Sequence, residues 1–375
     1  MTTTQNSSAN TKVRYAVVGL GSFAQTAAMP AFEHTENSEL VALVSGDPTK
    51  RDELGKQYNI QHTYSYEEYE DCLNSGEVDA VYIALPGHLH QEYTVRAANA
   101  GIHVLCEKPM AVTEDECEAM IRAAQDNHVK LMIAYRLHLD EANLQAVETV
   151  RSGKIGEPRI FNSLFTQQTV EGNIRLDKSK GGGTLDDIGI YCINAARYLF
   201  QDEPIAVFAT SANNGEKRFS EVDEMTSVIL RFPGDRLASF TVSFNGGRVA
   251  TYQVVGTKGD LRVDSAYGTE EIKHTLTIEG EKEERSFEPH DQLAAEFIYF
   301  SDCILQDQEP EPSGEEGLID VQIIRALYRS IESGGFVELN PPSRPQRPTA
   351  EQTIERPPVQ KQPELINAVT PSGKS

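Results

Sequence analysis

Val13-Arg14-Tyr15-Ala16-Val17-Val18-Gly19-Leu20-Gly21-Ser22-Phe23-Ala24 is the stretch on which the reading of this chain turns. Residues 13–18 form a short apolar strand, and G-x-G-x-x-A follows at once. The first glycine permits a tight turn, and the second lets backbone approach a pyrophosphate. The small residue in third place packs a helix onto the strand. The free N–H groups that open such a helix then face phosphate oxygens. A strand on one side and a helical pattern on the other make this a dinucleotide-binding turn.

Working outward, apolar strands recur with helical segments between them. Leu40–Val44, Val78–Ala84, His103–Cys106 and Lys130–Arg136 alternate with helices, including Glu92–Ala100 and Glu114–Asn127. Strands at this spacing predict a doubly wound parallel sheet, a Rossmann domain over residues 13–137. Ligands sit at the carboxyl ends of such strands, so Leu85-Pro86-Gly87-His88-Leu89-His90 should lie over the cofactor. The tip of the second strand carries Ser45-Gly46, with Asp47 next and Lys50 and Arg51 beyond. A hydroxyl with cations suits a 2′-phosphate and favours NADP, although Asp47 is close enough to reach a ribose hydroxyl.

Residues 138–340 read differently. A helix from Asp140 to Arg151 leads into strands near 205–211, 226–232, 237–244, 251–255, 261–264 and 275–278, with turns at Pro233-Gly234-Asp235 and Thr257-Lys258-Gly259-Asp260. An open, mostly antiparallel sheet is expected, closed by helices Gln292–Leu305 and Gly317–Ser333, an α+β domain. Residues 1–12 are polar and read as a disordered lead-in without an apolar leader. Residues 341–375 hold eight of the 18 prolines and little apolar material, which predicts a flexible tail. Five scattered cysteines without C-x-x-C indicate reduced thiols and a cytoplasmic protein. A net charge of −23 argues against nucleic acid or an anionic membrane as partner. The histidines show no metal spacing, and no metal is assigned.

A second stretch, Gly181-Gly182-Gly183-Thr184-Leu185-Asp186-Asp187-Ile188-Gly189-Ile190-Tyr191, opens a helix that runs to Phe200. Thr184 or Asp186 can cap it. Asp187 and Tyr191, four residues apart, share a face, and a carboxylate beside a phenol can hold and deprotonate a hydroxyl group. A capped core helix with a buried tyrosine is the plainer reading of that segment taken alone.

Glu107-Lys108-Pro109, together with the glycine turn and the Asp187/Tyr191 helix, resembles the glucose–fructose oxidoreductase/inositol dehydrogenase (Gfo/Idh/MocA) family. The resemblance covers roughly residues 13–340. Tyr191-Cys192-Ile193-Asn194, Val44-Ser45-Gly46 and Ala134-Tyr135-Arg136 look most like the glucose–fructose oxidoreductase branch, whose members prefer NADP and act on aldoses. That branch is exported with a long signal and an arm that retains its cofactor. The short polar lead-in here departs from that pattern, which speaks against a permanently bound, self-recycling cofactor and toward an ordinary sugar dehydrogenase.

The resemblance implies hydride transfer between C1 of an aldopyranose and NADP, giving the lactone, with reduction of a second sugar as a coupled step. A keto-sugar reductase, an inositol-type ring-hydroxyl dehydrogenase and a non-catalytic NADP- or sugar-sensing regulator are the alternatives. Tyr191 is the implied general base. An ordinary phenol, with a pKa of about 10, needs help at neutral pH, and Lys108 is placed to give it. Asp187 would orient Lys108 and the sugar. Gly19, Leu20, Gly21, Ser22, Phe23, Ala24, Ser45, Gly46, Lys50 and Tyr66 would hold the cofactor, with Leu85, Pro86, His90, Glu107, Lys108 and Arg136. Arg136, Arg175 and Asn194 would join Lys108, Asp187 and Tyr191 around the sugar. A homodimer or homotetramer packed through the second sheet is also implied.

Overall fold

The computed structural model describes residues 12–342, 347–360 and 363–373. The expected lead-in at residues 1–12 therefore lies outside the described residues save for its last position.

Six strands build the first sheet: β1 (Val13–Val18), β2 (Ser38–Val44), β3 (His62–Tyr64), β4 (Ala80–Ile83), β5 (His103–Glu107) and β6 (Leu131–Ala134). They are parallel and ordered β3-β2-β1-β4-β5-β6, the doubly wound arrangement expected. β1, β4 and β6, buried on both faces, read as continuous apolar runs visible in the sequence, as were most of β2 and β5, whereas the short, partly exposed β3 was not expected. All of them point their carboxyl ends at one cleft.

The second sheet has nine strands in the order β14-β13-β12-β11-β7-β10-β9-β8-β15. These are β7 (Pro158–Gln168), β8 (Ala206–Ala212), β9 (Met225–Phe232), β10 (Arg236–Ser243), β11 (Asn245–Gly256), β12 (Gly259–Asp264), β13 (Ile272–Ile278), β14 (Glu281–Phe287) and β15 (Val337–Glu338). Only β7 and β10 run parallel to each other; the remaining pairs are antiparallel. Alternation is strict in β9, where Thr226, Val228, Leu230 and Phe232 are buried and their neighbours exposed. The helix Ile190–Phe200 packs on the inner face.

Two expectations need correction. The helix Gln292–Leu305 does not close the second domain. Its Phe297 ring meets Tyr15, Phe32 and Tyr82, and it shares a core with Val13, Val17 and Leu43 of the first domain. Residues 341–375 are not a free tail where they are described. Ile354 donates to the Leu139 carbonyl at 3.2 Å, Asp291 donates to that of Arg356 at 2.9 Å, and Val170 to that of Pro371 at 3.1 Å. Proline content gives extended backbone, and extended backbone finds partners along a surface as readily as it avoids a core.

Candidate active site

The cleft between the two sheets has a volume of about 1150 Å³. Its floor begins at the glycine turn. Gly19 sits at φ +95°, and a Cβ there would meet the Ala84 carbonyl oxygen at 2.8 Å. Only glycine fits both the dihedral and the space. A Cβ on Gly21 would meet nothing within 4 Å, so this backbone is open to close approach by a ligand.

At the tip of β2, Ser45 is buried and its hydroxyl accepts from the Asp47 N–H at 3.2 Å. Asp47 is not free to take a ribose hydroxyl. One oxygen caps the helix Pro48–Gln57, accepting from Thr49 N at 2.9 Å, and the other accepts from Asn367 at 3.0 Å. Arg51 is turned back onto the Ser45 carbonyl, and Lys50 remains at the cleft wall. A hydroxyl and an ammonium with no available carboxylate fit a 2′-phosphate. Gly46 is off the wall; its place lets the Tyr66 ring pack at 3.1 Å from where a Cβ would stand.

The ends of β4 and β5 are locked together by His90. Its two ring nitrogens lie 2.7 Å from the Leu85 carbonyl and 2.9 Å from that of Pro109. Burial holds this imidazole below its usual pKa. His90 therefore shapes the loop over the cleft, and its nitrogens are already partnered. Glu107 accepts from the Tyr82 hydroxyl at 2.6 Å, and burial raises its carboxyl above the ordinary range.

Lys108, projecting from the end of β5, reaches the first turn of residues 185–200. Its ammonium donates to the Asp187 carbonyl at 2.8 Å, lies 3.6 Å from the Asp187 carboxylate and stands 4.7 Å from the centre of the Tyr191 ring. Asp187 also accepts from Arg175 at 2.7 Å and from Gln167 at 3.1 Å. Burial pushes the Asp187 carboxyl up, but Arg175 and Lys108 outweigh it and hold the group below the usual range. Arg136 is fixed by the carbonyls of Tyr267 and Gly268 and by the Gln292 side chain. Its Nε donates to the Tyr191 hydroxyl at 3.4 Å. The phenol thus stands in the cleft between two cations.

The first turn is a π turn, Leu185–Gly189, which runs into Ile190–Phe200 without a side-chain cap. Thr184 instead shares a hydrogen bond with Thr226 at 3.0 Å, and Asp186 is taken by Tyr328 at 2.6 Å and by Arg325. Asn194 is not at the cleft. Its amide donates to Glu316 and Asp320, and its oxygen lies 2.7 Å from His138 Nε2, in a buried cluster around Arg197. It sits one turn beyond Tyr191, where the helix has left the cleft. Apart from Asn194 and Gly46, the cofactor- and sugar-binding candidates named from the sequence line the cleft wall. Missed by that reading were Gln167 on the wall, Gln292 behind Arg136, and the segment containing Ala368, Val369, Pro371 and Ser372, which closes one side. Each lies far in sequence from the residue it supports.

A family model described as "Oxidoreductase family, NAD-binding Rossmann fold" matches residues 13–135, and one for the GFO/IDH/MocA C-terminal domain matches 143–262. D-xylose 1-dehydrogenase [NADP(+)] of Haloarcula marismortui is 36% identical over 88% of this chain and 93% of its own. A crystal structure of aldose–aldose oxidoreductase from Caulobacter crescentus, complexed with glycerol, superposes with a TM-score of 0.84 at 38% identity. That match spans 88% of this chain and 100% of the other. A 3-ketoreductase from Actinomadura kijaniata, in complex with NADP and TDP-benzene, gives a TM-score of 0.79 at 26% identity over 85% and 98% of the two chains.

Proposed function

The chain belongs to the GFO/IDH/MocA oxidoreductase family, and from that premise we propose that it is an NADP-dependent dehydrogenase of aldopyranoses, xylose or glucose in type. The observation that carries this reading is the meeting of Tyr191, Lys108 and Asp187 in one cleft that also contains the glycine turn. The wall around Ser45 and Lys50, with Asp47 engaged elsewhere, favours NADP over NAD.

Oxidation of an anomeric hydroxyl to a lactone removes a proton from oxygen and a hydride from C1. NADP, when bound, supplies the hydride acceptor. Tyr191 takes the proton. The negative charge that its oxygen must carry before that transfer is met by Arg136 Nε at 3.4 Å and by the Lys108 ammonium beside the ring. Lys108 has donors left over after its bonds to Asp187, and these hold the sugar oxygen as the proton leaves. Asp187, braced by Arg175 and Gln167, fixes where Lys108 points. A sensor of sugar or cofactor would have no use for a phenol set between two cations in an open cleft.

A homo-oligomer is also part of this reading. The outer face of the second sheet exposes Ile160, Leu164, Ile229 and Leu237 on neighbouring strands, an apolar face of the kind that a second copy covers. Light scattering of the purified protein tests it, and a monomer at micromolar concentration would refute it. Among the described residues no helix is long and apolar enough to cross a membrane.

The test of the main reading is nicotinamide reduction followed by absorbance with a panel of aldoses. Xylose or glucose should reduce NADP, and NAD should serve poorly. If no aldose reduces NADP while NADPH reduces a keto-sugar, the oxidative reading is wrong.

A further inference from the structure

We infer that residues 366–372 are part of the dinucleotide site itself, a clasp that closes over bound NADP and has to lift before it exchanges; this rests on the NADP reading above. The segment is fastened to three separate walls of the cleft. On the helix that leaves the glycine turn, Gln25 is fully buried. Its amide donates to the Ile366 carbonyl at 2.9 Å, and its oxygen accepts the Ile366 N–H at 2.8 Å. Both backbone groups of one clasp residue are thus read by one buried side chain. At the tip of β2, Asn367 donates to Asp47 at 3.0 Å, two residues past the Ser45 hydroxyl that favours a 2′-phosphate. On the second-domain side, beyond the end of β7, Val170 donates to the Pro371 carbonyl at 3.1 Å.

Between these anchors Ala368, Val369, Pro371 and Ser372 form cleft wall together with the glycine turn, Ser45 and Lys50. A segment docked only for stability would cover apolar surface on the back of a domain. This one spans the opening from the first domain to the second, and Val369 remains largely exposed. The bonds are few and, apart from those of the buried Gln25, lie near the surface, so the clasp can open without unfolding either sheet. Slow exchange is its consequence for the chemistry. With the clasp shut, a bound cofactor would be held in by residues 366–371 and would exchange only slowly with cofactor in solution.

A reversible lock tests this in the full-length protein. A Cβ at Gly373 would stand 3.9 Å from the Val170 Cβ, within the roughly 3.5–4.5 Å range of a disulfide. The five native cysteines are buried and will not compete. Val170→Cys with Gly373→Cys is loaded with NADPH, oxidised, and chased with excess NADP while nicotinamide fluorescence is followed. Release should slow at least about tenfold in the oxidised form and recover in dithiothreitol. Asn367→Ala should speed release several-fold. Equal release from oxidised and reduced forms overturns the clasp; should strain at Gly373, whose φ is +84°, keep the pair from closing, Asn367→Ala decides alone, and unchanged release from it overturns the clasp. Unmodified protein that binds NADPH but oxidises no aldose sinks the sugar reading alone. Protein that binds no NADPH sinks both.

Discussion

The helical stretch 185–200 carries charge at both ends, and the two ends are built for different work. At the first, Asp187 meets Lys108, Arg175 and the neighbourhood of Tyr191, with side chains still 13–29% exposed. At the second, Arg197 is wholly buried and bonded to Glu203, Glu316 and Asp320. Arg347 adds a second cation on Glu203, and Asn194, His138 and Glu311 extend the cluster. The carboxylates come from the loop after this helix and from Gly314–Ser333, a helix that also packs on the first domain through Gly317 and Met110. One end leaves its cations room to take a ligand. The other spends every Arg197 donor internally and fixes how the two domains meet. Charge by itself does not mark a site; unspent hydrogen-bonding capacity facing solvent does.

The comparison breaks first at Tyr191, where the largest effect is expected. Tyr191→Phe removes one oxygen and leaves the packing of the ring against Phe165 and Tyr267. The rate constant kcat should fall by about 10²–10⁴, or roughly 3–5 kcal/mol in the barrier, with the melting temperature unchanged. Lys108→Met should lower the rate too, and the pair together should cost far less than the product of the two, because they act as one unit. Steady-state kinetics beside calorimetry reads both. If Tyr191→Phe melts early and its folded fraction turns over normally, this end is architecture as well and the contrast is gone.

Arg197→Met should do the reverse. It removes the cation that Glu203, Glu316 and Asp320 share, though Arg347 still meets Glu203, and breaking such a buried pair costs about 3–5 kcal/mol. That is a large share of a typical domain's stability. The urea midpoint should drop sharply, while KM and kcat measured well below it stay near wild type. A normal midpoint with lost activity would place Arg197 in the catalytic machinery instead.

The same contrast explains what the sequence made visible. The glycine turn and five of the six strands of the first sheet are local patterns, and so is the four-residue step from Asp187 to Tyr191. They could be read directly. Glu107-Lys108-Pro109 gained its meaning only in combination with them. Asn194 was misplaced because helical spacing puts it near Tyr191 and says nothing about Glu316 or Asp320, more than a hundred residues away. β14 went unseen because Glu281-Lys282-Glu283-Glu284-Arg285 is charged throughout, as suits an edge strand that must not recruit a neighbour. The tail was read by composition, and composition carries no record of Gln25, Asp47 or Val170.

The smallest expected effect lies in the pH response of the two ends, and it has opposite signs. The Asp187 carboxyl is held below its usual range, so its contribution is present above about pH 4, the unfolded value, and is lost as pH falls further. Asp320 is displaced the other way. Burial pushes it up to about 6, with Arg197 opposing and Glu316 adding to the rise. A raised carboxyl means that the folded chain binds the proton more tightly than the unfolded one does. This group therefore costs stability above pH 6 and ceases to do so as pH falls from 6 toward 4. Asp320→Asn keeps the shape and removes the titration. At neutral pH the midpoint should move by no more than about 1 kcal/mol, since Glu203 and Glu316 still pair Arg197. The informative quantity is the difference between wild-type and variant urea midpoints at pH 7, 6, 5 and 4, which should swing in favour of wild type as the pH drops. A difference that is flat, or that swings toward the variant, would mean Asp320 stays ionised in the cluster. The buried end would then respond to acid as the open end does.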